Sequence, residues 1–186
     1  VPEGDCSSLR RVKKIFSDHP VPSKNSIYAS EKIMQIIKNV NKEDFVIFLI
    51  SGGASALVEY PEDGISLEDL QRLTSMLLNA GADIFEVNTV RKHISKLKGG
   101  KLAEMCKGEK ISLIISDVIG DDISMIGSGM TAGDKSTYED AMRILKKYNI
   151  KYPESIIELI KRGVKGEIRD TPSKVDGDHF IVANNN

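Results

Sequence analysis

What this sequence lacks narrows the field before any motif is read. Its 26 basic and 27 acidic residues leave a formal net charge of −1. No global field draws such a chain to nucleic acid or an anionic membrane, and neither is expected as a partner. Any anion binding must be local. Only two cysteines occur, Cys6 and Cys106. That is too few for a disulfide framework and points to a reducing, cytoplasmic setting. No apolar run approaches the roughly 20 residues that span a bilayer, and no signal peptide is visible. There is no Walker A loop, no GxGxxG fingerprint, no internal repeat and no low-complexity tract.

What is present is a chain of 186 residues with 40% hydrophobic and 28% charged content, the balance of one folded domain. Residues 45–50 and 111–115 are continuous apolar runs, and residues 180–183 form a third. Continuous runs indicate strands covered on both faces, as in a parallel sheet. Ile27, Ile33, Met34, Ile36 and Ile37 mark the apolar side of one helix. Ser66 with Asp69 reads as a capping box for a helix carrying Leu67, Leu70, Leu73 and Leu77 and stopping at Gly81. Ser136 with Glu139 opens another helix, and Pro153 starts one with Ile156, Ile157 and Ile160. Residues 163–178 read as a long polar connection. The alternation predicts an α/β fold: a three-layer α/β/α domain with a mostly parallel sheet. Exposed sheet edges would suit a homodimer.

The ends carry a reading too. The chain opens at Val1 and Pro2 without a methionine and closes on a strand running into Asn184, Asn185 and Asn186. Both are expected of a piece of a longer protein.

Ligands of parallel sheets sit at the carboxyl ends of strands, so the segments after Ile50 and Ile115 come first. Ser51, Gly52, Gly53, Ala54 and Ser55 follow the first strand. The glycines permit a tight turn and close backbone approach, and a helix start there would favour a phosphate or carboxylate. A plain strand-to-helix turn is the alternative. Asn88 opens a stretch with Arg91, Lys92, Lys96, Lys98 and Lys101 and no acid. Read as a helix, it puts Val90, Ile94 and Leu97 on a packed face and Asn88, Arg91, Ser95 and Lys98 on another. With no acid inside the stretch to pair them, the cations read as an anion clamp rather than a solvated face. Arg91→Ala is expected to cut activity and leave the fold intact. His93 points to the apolar side. Asp117 stands at the end of the second strand, placed to hold Mg²⁺ or to accept a hydroxyl proton. Asp121 and Asp122 fit a cap or turn, and Gly127, Ser128 and Gly129 suggest a second anion nest. These parts resemble those of phosphoryl transfer, which depends on positioning and charge neutralisation.

At residues 51–57, 88–103 and 116–131 the order of motifs resembles the amino-terminal domain of the glycerate 2-kinase family, the type II or MOFRL-type glycerate kinases. His19, Pro20, Val21 and Pro22 fit as well, and the resemblance covers essentially the entire chain. It implies a Rossmann-like first domain and ATP-dependent phosphorylation of the 2-hydroxyl of D-glycerate, with Mg²⁺. Ser51, Gly52, Gly53, Ser55, Asn88, Arg91 and Lys98 would then bind substrate or phosphate, as Ser128 and Gly129 would from their own loop. Asp117 and Asp121 would be the acidic partners near the metal, and Asp117 the catalytic group. Two positions depart from the pattern, Ala54 for a third glycine and Met130 for a proline. The resemblance also implies that an upstream Gly-Lys-Ala segment and a carboxy-terminal domain lie outside this chain.

Two rivals remain open at this point. One is a serine hydrolase using Ser55, His93 and Asp117, although the loop lacks the second glycine of a nucleophile elbow. The other is a non-catalytic anion- or nucleotide-binding module.

Overall fold

Three runs rich in branched and aromatic side chains pair into one sheet: β1 (Phe45–Ile50), β2 (Glu109–Ile115) and β3 (Asp178–Ala183). The computed structural model describes residues 11–184, so Val1, Pro2, Cys6, Asn185 and Asn186 lie outside the described residues. Both pairings are parallel, in the order β1-β2-β3. Register runs from Phe45 opposite Glu109 to Ile50 opposite Ile114, and an irregularity at Ile114 and Ile115 sets Ile115 opposite Ala183. The expected α/β class with a parallel sheet holds.

Coverage of both sheet faces does not hold within these residues. Phe45, Ile47, Leu49, Ile115, Phe180 and Val182 are each half exposed or more, whereas Ile50, Ser112 and Ile114 are buried. Topology supplies the reason. Right-handed crossovers between strands laid down in sequential order place their helices on one face. The opposite face of this 1-2-3 sheet therefore receives no helix from the connections described.

The helices are α1 (Lys24–Lys38), α2 (Ala54–Leu57), α3 (Leu67–Asn79), α4 (Ile84–His93), α5 (Lys101–Met105), α6 (Tyr138–Lys147) and α7 (Glu154–Val164). One helix face and one helix start differ from the expected ones in detail. Ile36 of α1 faces solvent, and Ser26, Ala29, Ser30 and Ile37 are the buried positions. Ser66 caps α3 by accepting from Asp69 N. The cap of α6 is Thr137 with Asp140, one residue beyond the expected pair, because Ser136 instead donates to the buried Asp134. The 163–178 connection is not wholly superficial either, since Thr171 is buried and donates to Asp134 Oδ2 at 2.9 Å.

Most of the core lies among helices rather than against the sheet. Leu70, Leu73 and Leu77 of α3, Val87 and Val90 of α4, Tyr138 and Leu145 of α6, and Ile156 and Ile160 of α7 form one cluster. A smaller cluster of Ile37, Leu97, Leu102, Cys106 and Met130 meets Val46 and Phe48 of β1. Between them the carboxyl ends of β1 and β2 face the flank of α4. Among the described residues no helix is long and apolar enough to cross a membrane.

The contact between α6 and α7 depends on Gly163, where a Cβ would overlap the Tyr138 ring. Gly163→Ala is expected to lower stability by about 1–3 kcal/mol through overpacking. Thermal melting checks this against Lys161→Ala, an exposed change on the same helix expected to stay within about 0.5 kcal/mol of the parent.

Candidate functional site

The ends of β1 and β2 open into a cleft of about 520 Å³. His19 and Pro20 form one wall, Ser55 and Ala56 another, and Asn88 and Arg91 of α4 the floor. Asp117, Gly127 and Ser128 complete it, and Ile84, Phe85 and Ile119 make an apolar lip on which Ile119 is 99% exposed.

The first loop is built for close approach. Gly53 takes a left-handed φ of 79° as it caps α2, and a Cβ there would stand 3.1 Å from His19 Cδ2. A Cβ at Gly52 would overlap the Asp117 carboxylate. These two glycines therefore let Asp117 and His19 close over the loop. Because α2 spans only four residues, its dipole is far weaker than the expected helix start would supply. Ser51 points away from the lining, its Oγ meeting only Gly52 O at 3.4 Å.

Ser55 is the serine of this loop that faces the cleft. Its Oγ lies 2.6 Å from Ser128 Oγ, which in turn donates to Asn88 Oδ1 at 2.9 Å. Ser128 has one hydroxyl proton and gives it to Asn88, so Ser55 donates to Ser128. The Asn88 amide nitrogen and the Ser55 lone pairs are left to meet a ligand. The expected anion nest at Gly127, Ser128 and Gly129 is corrected: Ser128 N and Gly129 N turn back to Met125 O and Ile126 O, at 3.0 and 2.9 Å. Gly129 is absent from the lining, and its lack of a side chain admits Ser124 O, which a Cβ would meet at 2.6 Å.

The basic stretch is the largest correction. α4 stops at His93, so Ser95 and Lys98 do not share its face. Acids from elsewhere in the chain pair the cations that find none nearby. Glu59 meets Arg91 at 2.8 Å and Lys98 at 3.3 Å, Asp134 meets Lys92 at 3.3 Å, and Glu62 meets Lys101 at 2.9 Å. Asp63 takes Lys96 at the surface. Of these five cations, Arg91 is the one lining the cleft. Lys98 is 0% exposed and donates to the carbonyls of Ser55 and Val58 at 2.8 and 3.0 Å. Arg91 Nη2 also donates to Ser55 O at 3.0 Å, and its Nε is buried without a partner.

Burial would raise the Glu59 carboxyl, but the charges of Lys98 and Arg91 outweigh it and hold Glu59 below the usual carboxylate range. Burial pushes Lys98 down to about 8 against the pull of Glu59. Arg91 is only 9% exposed, so the expectation that Arg91→Ala spares the fold is also corrected. Its loss would leave a buried carboxylate with one partner fewer.

His93 is 0% exposed, bonds Thr89 O through Nδ1 at 2.8 Å and packs edge-on against Tyr138. Burial holds its pKa below the ordinary value. It lies outside the cleft lining, so Ser55, His93 and Asp117 do not assemble as a hydrolase triad. Asp117 is exposed on the cleft wall. Asp121 is not in the lining: its Oδ2 accepts from Asn184 Nδ2 at 2.8 Å, and Ser116 and Asn184 hold its pKa down. Asp122 accepts from Ser124 N and Oγ, as the turn reading expects. Among the described residues no three acidic, histidine or cysteine side chains cluster as a metal cage. Mg²⁺ needs only one or two protein carboxylates beside water and phosphate; Asp117 stands on the cleft lining where it could serve, whereas Asp121 lies off the lining with one oxygen bonded to Asn184.

Sequence reasoning missed Glu59 and gave His19 no role. Glu59 belongs to no motif, and a lone acid between Val58 and Tyr60 was its only signal.

The Lys92–Asp134 pair identifies a structural anchor beside the site. Burial raises the Asp134 carboxyl, but Lys92 and bonds from Ser136 and Thr171 outweigh it, so its folded pKa lies below the unfolded one. The stabilisation is therefore present above the unfolded value of about 4 and is lost as pH falls through the folded value. Asp134→Ala is expected to cost about 3 kcal/mol at neutral pH by leaving Lys92 buried and unpaired. In acid melts the gap between variant and parent should narrow below about pH 4.

Comparison with known proteins places this geometry. Residues 1–161 match the family described as Domain of unknown function (DUF4147). The glycerate 2-kinase of Pyrococcus horikoshii is 50% identical over 186 residues, covering 98% of this chain and 42% of that protein. The D-glycerate 2-kinase of Thermotoga maritima is 45% identical over 155 residues, covering 83% and 36%. A protein of Agrobacterium vitis with the provisional name hydroxypyruvate reductase is 43% identical over 175 residues, covering 89% and 40%. Among solved structures, a Pyrococcus horikoshii OT3 protein superposes with a TM-score of 0.94 at 49% identity, covering 98% of this chain and 43% of that one. The glycerate kinase of Thermotoga maritima superposes at 0.87 with 38% identity, covering 96% and 42%. The chain thus spans about two fifths of the length of these relatives. It belongs to the family described as DUF4147, and it is similar over most of its length to the glycerate 2-kinases of Pyrococcus horikoshii and Thermotoga maritima.

Proposed function

We propose that the protein containing this chain transfers the γ-phosphate of ATP to the 2-hydroxyl of D-glycerate, in the cytoplasm, giving 2-phosphoglycerate. The observation that carries the reading is the cleft floor, where Arg91, Asn88, Ser55 and Ser128 face one space with Asp117 on its wall. Arg91 offers the charge for a carboxylate or phosphate, and Asn88 and Ser55 offer hydrogen bonds that orient hydroxyls. Asp117 receives the hydroxyl proton as the new O–P bond forms and the bond to ADP breaks. Mg²⁺, when bound, offsets charge on the phosphates, with Asp117 the cleft carboxylate available to it. Lys98 takes no direct part, because it is sealed beneath Ser55.

A reductase reading has one support, the name carried by the Agrobacterium vitis relative.

The full-length protein is expected to form ADP and 2-phosphoglycerate from ATP, D-glycerate and Mg²⁺ in a coupled assay. Oxidation of a nicotinamide cofactor with hydroxypyruvate, and no phosphorylation, would replace this reading with the reductase. Ligand binding without turnover would leave a binding module. Asp117→Asn should lower kcat by about 100-fold with a smaller change in KM. Arg91→Ala should raise the KM for D-glycerate at least about tenfold and also lower the melting temperature.

A further inference from the structure

At the cleft floor three ionised groups pack together, two of them sealed from water beneath Arg91. Glu59 and Lys98 are each 0% exposed, and Arg91 is 9% exposed. Glu59 Oε2 lies 2.8 Å from Arg91 Nη2 and 3.3 Å from Lys98 Nζ. One carboxylate thus serves two cations, and among the described residues no other acid forms an ion pair with either. The group carries one surplus positive charge, and Arg91 is its only member on the cleft lining. Buried charge is costly unless balanced, so the surplus attracts an anion from the one side that is open.

We propose that Lys98 and Glu59, which do not reach the cleft surface, are positioning residues that set its anion affinity by fixing the charge and placement of Arg91. The inference deepens the kinase reading by naming residues that tune the same site. Without Lys98, Glu59 would neutralise Arg91 and the floor would offer no net charge. Without both, Arg91 would stand alone and the surplus would return. Lys98 also holds the backbone together with Arg91: Ser55 O accepts from both, so the hydroxyl of Ser55 is presented from a carbonyl pinned from below.

The mechanism is electrostatic, so a charge-restoring double variant separates it from simple packing. In the full-length protein, with sulfate as probe and calorimetry as readout, Lys98→Met should weaken binding about tenfold, the scale of a unit charge at short range in a partly shielded interior. Glu59→Gln combined with Lys98→Met should recover most of that loss. Unchanged affinity in Lys98→Met, or a double variant no better than the single one, would overturn the proposal. If neither variant folds, the parent protein decides it. Sulfate keeps its charge across the range, and the charged groups facing Lys98 are Glu59 and Arg91. Burial pushes Lys98 down to about 8, so loss of its proton should make affinity fall several-fold between about pH 7 and about pH 9.5. A flat profile, or no sulfate binding at all, would overturn it. Sulfate binding that follows this pattern in a protein unable to phosphorylate D-glycerate would sink the kinase reading and leave the charge device standing.

Discussion

Glu59 anchors the site, because its buried carboxylate ties Arg91 and Lys98 to the segment after α2. That segment also meets the turn beyond α4, where Lys96 N donates to Tyr60 O and Glu62 N to Ile94 O. Glu59 lies just past α2, yet its partners are Arg91 on α4 and Lys98 in the turn beyond that helix. An ionised carboxylate in a dry interior is tolerated only when opposite charge and hydrogen bonds surround it. Satisfying that demand fixes where α4 stands relative to the strand-end loop. Everything on the cleft floor follows from that placement, including the Ser55–Ser128–Asn88 hydroxyl chain.

Two packing systems meet at this point. The α3, α4, α6 and α7 cluster is a helical core in its own right, rich in leucine and isoleucine. The sheet contributes a different layer, covered on one face through Val46 and Phe48 of β1 and the residues that pack on them. The cleft of about 520 Å³ opens at this junction. Its polar groups come from element ends, where backbone geometry changes abruptly, and its lip from apolar residues left exposed at Ile84, Phe85 and Ile119.

Much of this was legible from residue order. Strand positions followed from continuous apolar runs, and the stop of α3 from Gly81. The cleft location followed from the rule that ligands sit at strand ends. Less legible were features set by competition between neighbours. Ser136 looks like a cap, but the buried Asp134 draws it inward and Thr137 takes the role. Gly127, Ser128 and Gly129 look like a nest, but three successive left-handed residues turn the amides of Ser128 and Gly129 back on their own loop.

The basic stretch after Asn88 shows the division most sharply. Local sequence establishes that Arg91, Lys92, Lys96, Lys98 and Lys101 occur with no acid among them, and nothing in that interval says where their counter-charges lie. Sequence by itself determined the α/β class, the parallel strands, the family and the strand-end loops, because those rest on periodicity and motif order within short windows. Only the tertiary structure decided that Glu59, Glu62, Asp63 and Asp134 come back to meet the cations. It also decided that Lys98 is sealed inside while Arg91 faces the cleft. The physical reason is that ion pairing is a matter of distance in space, and these partners lie about thirty to forty positions apart in the chain.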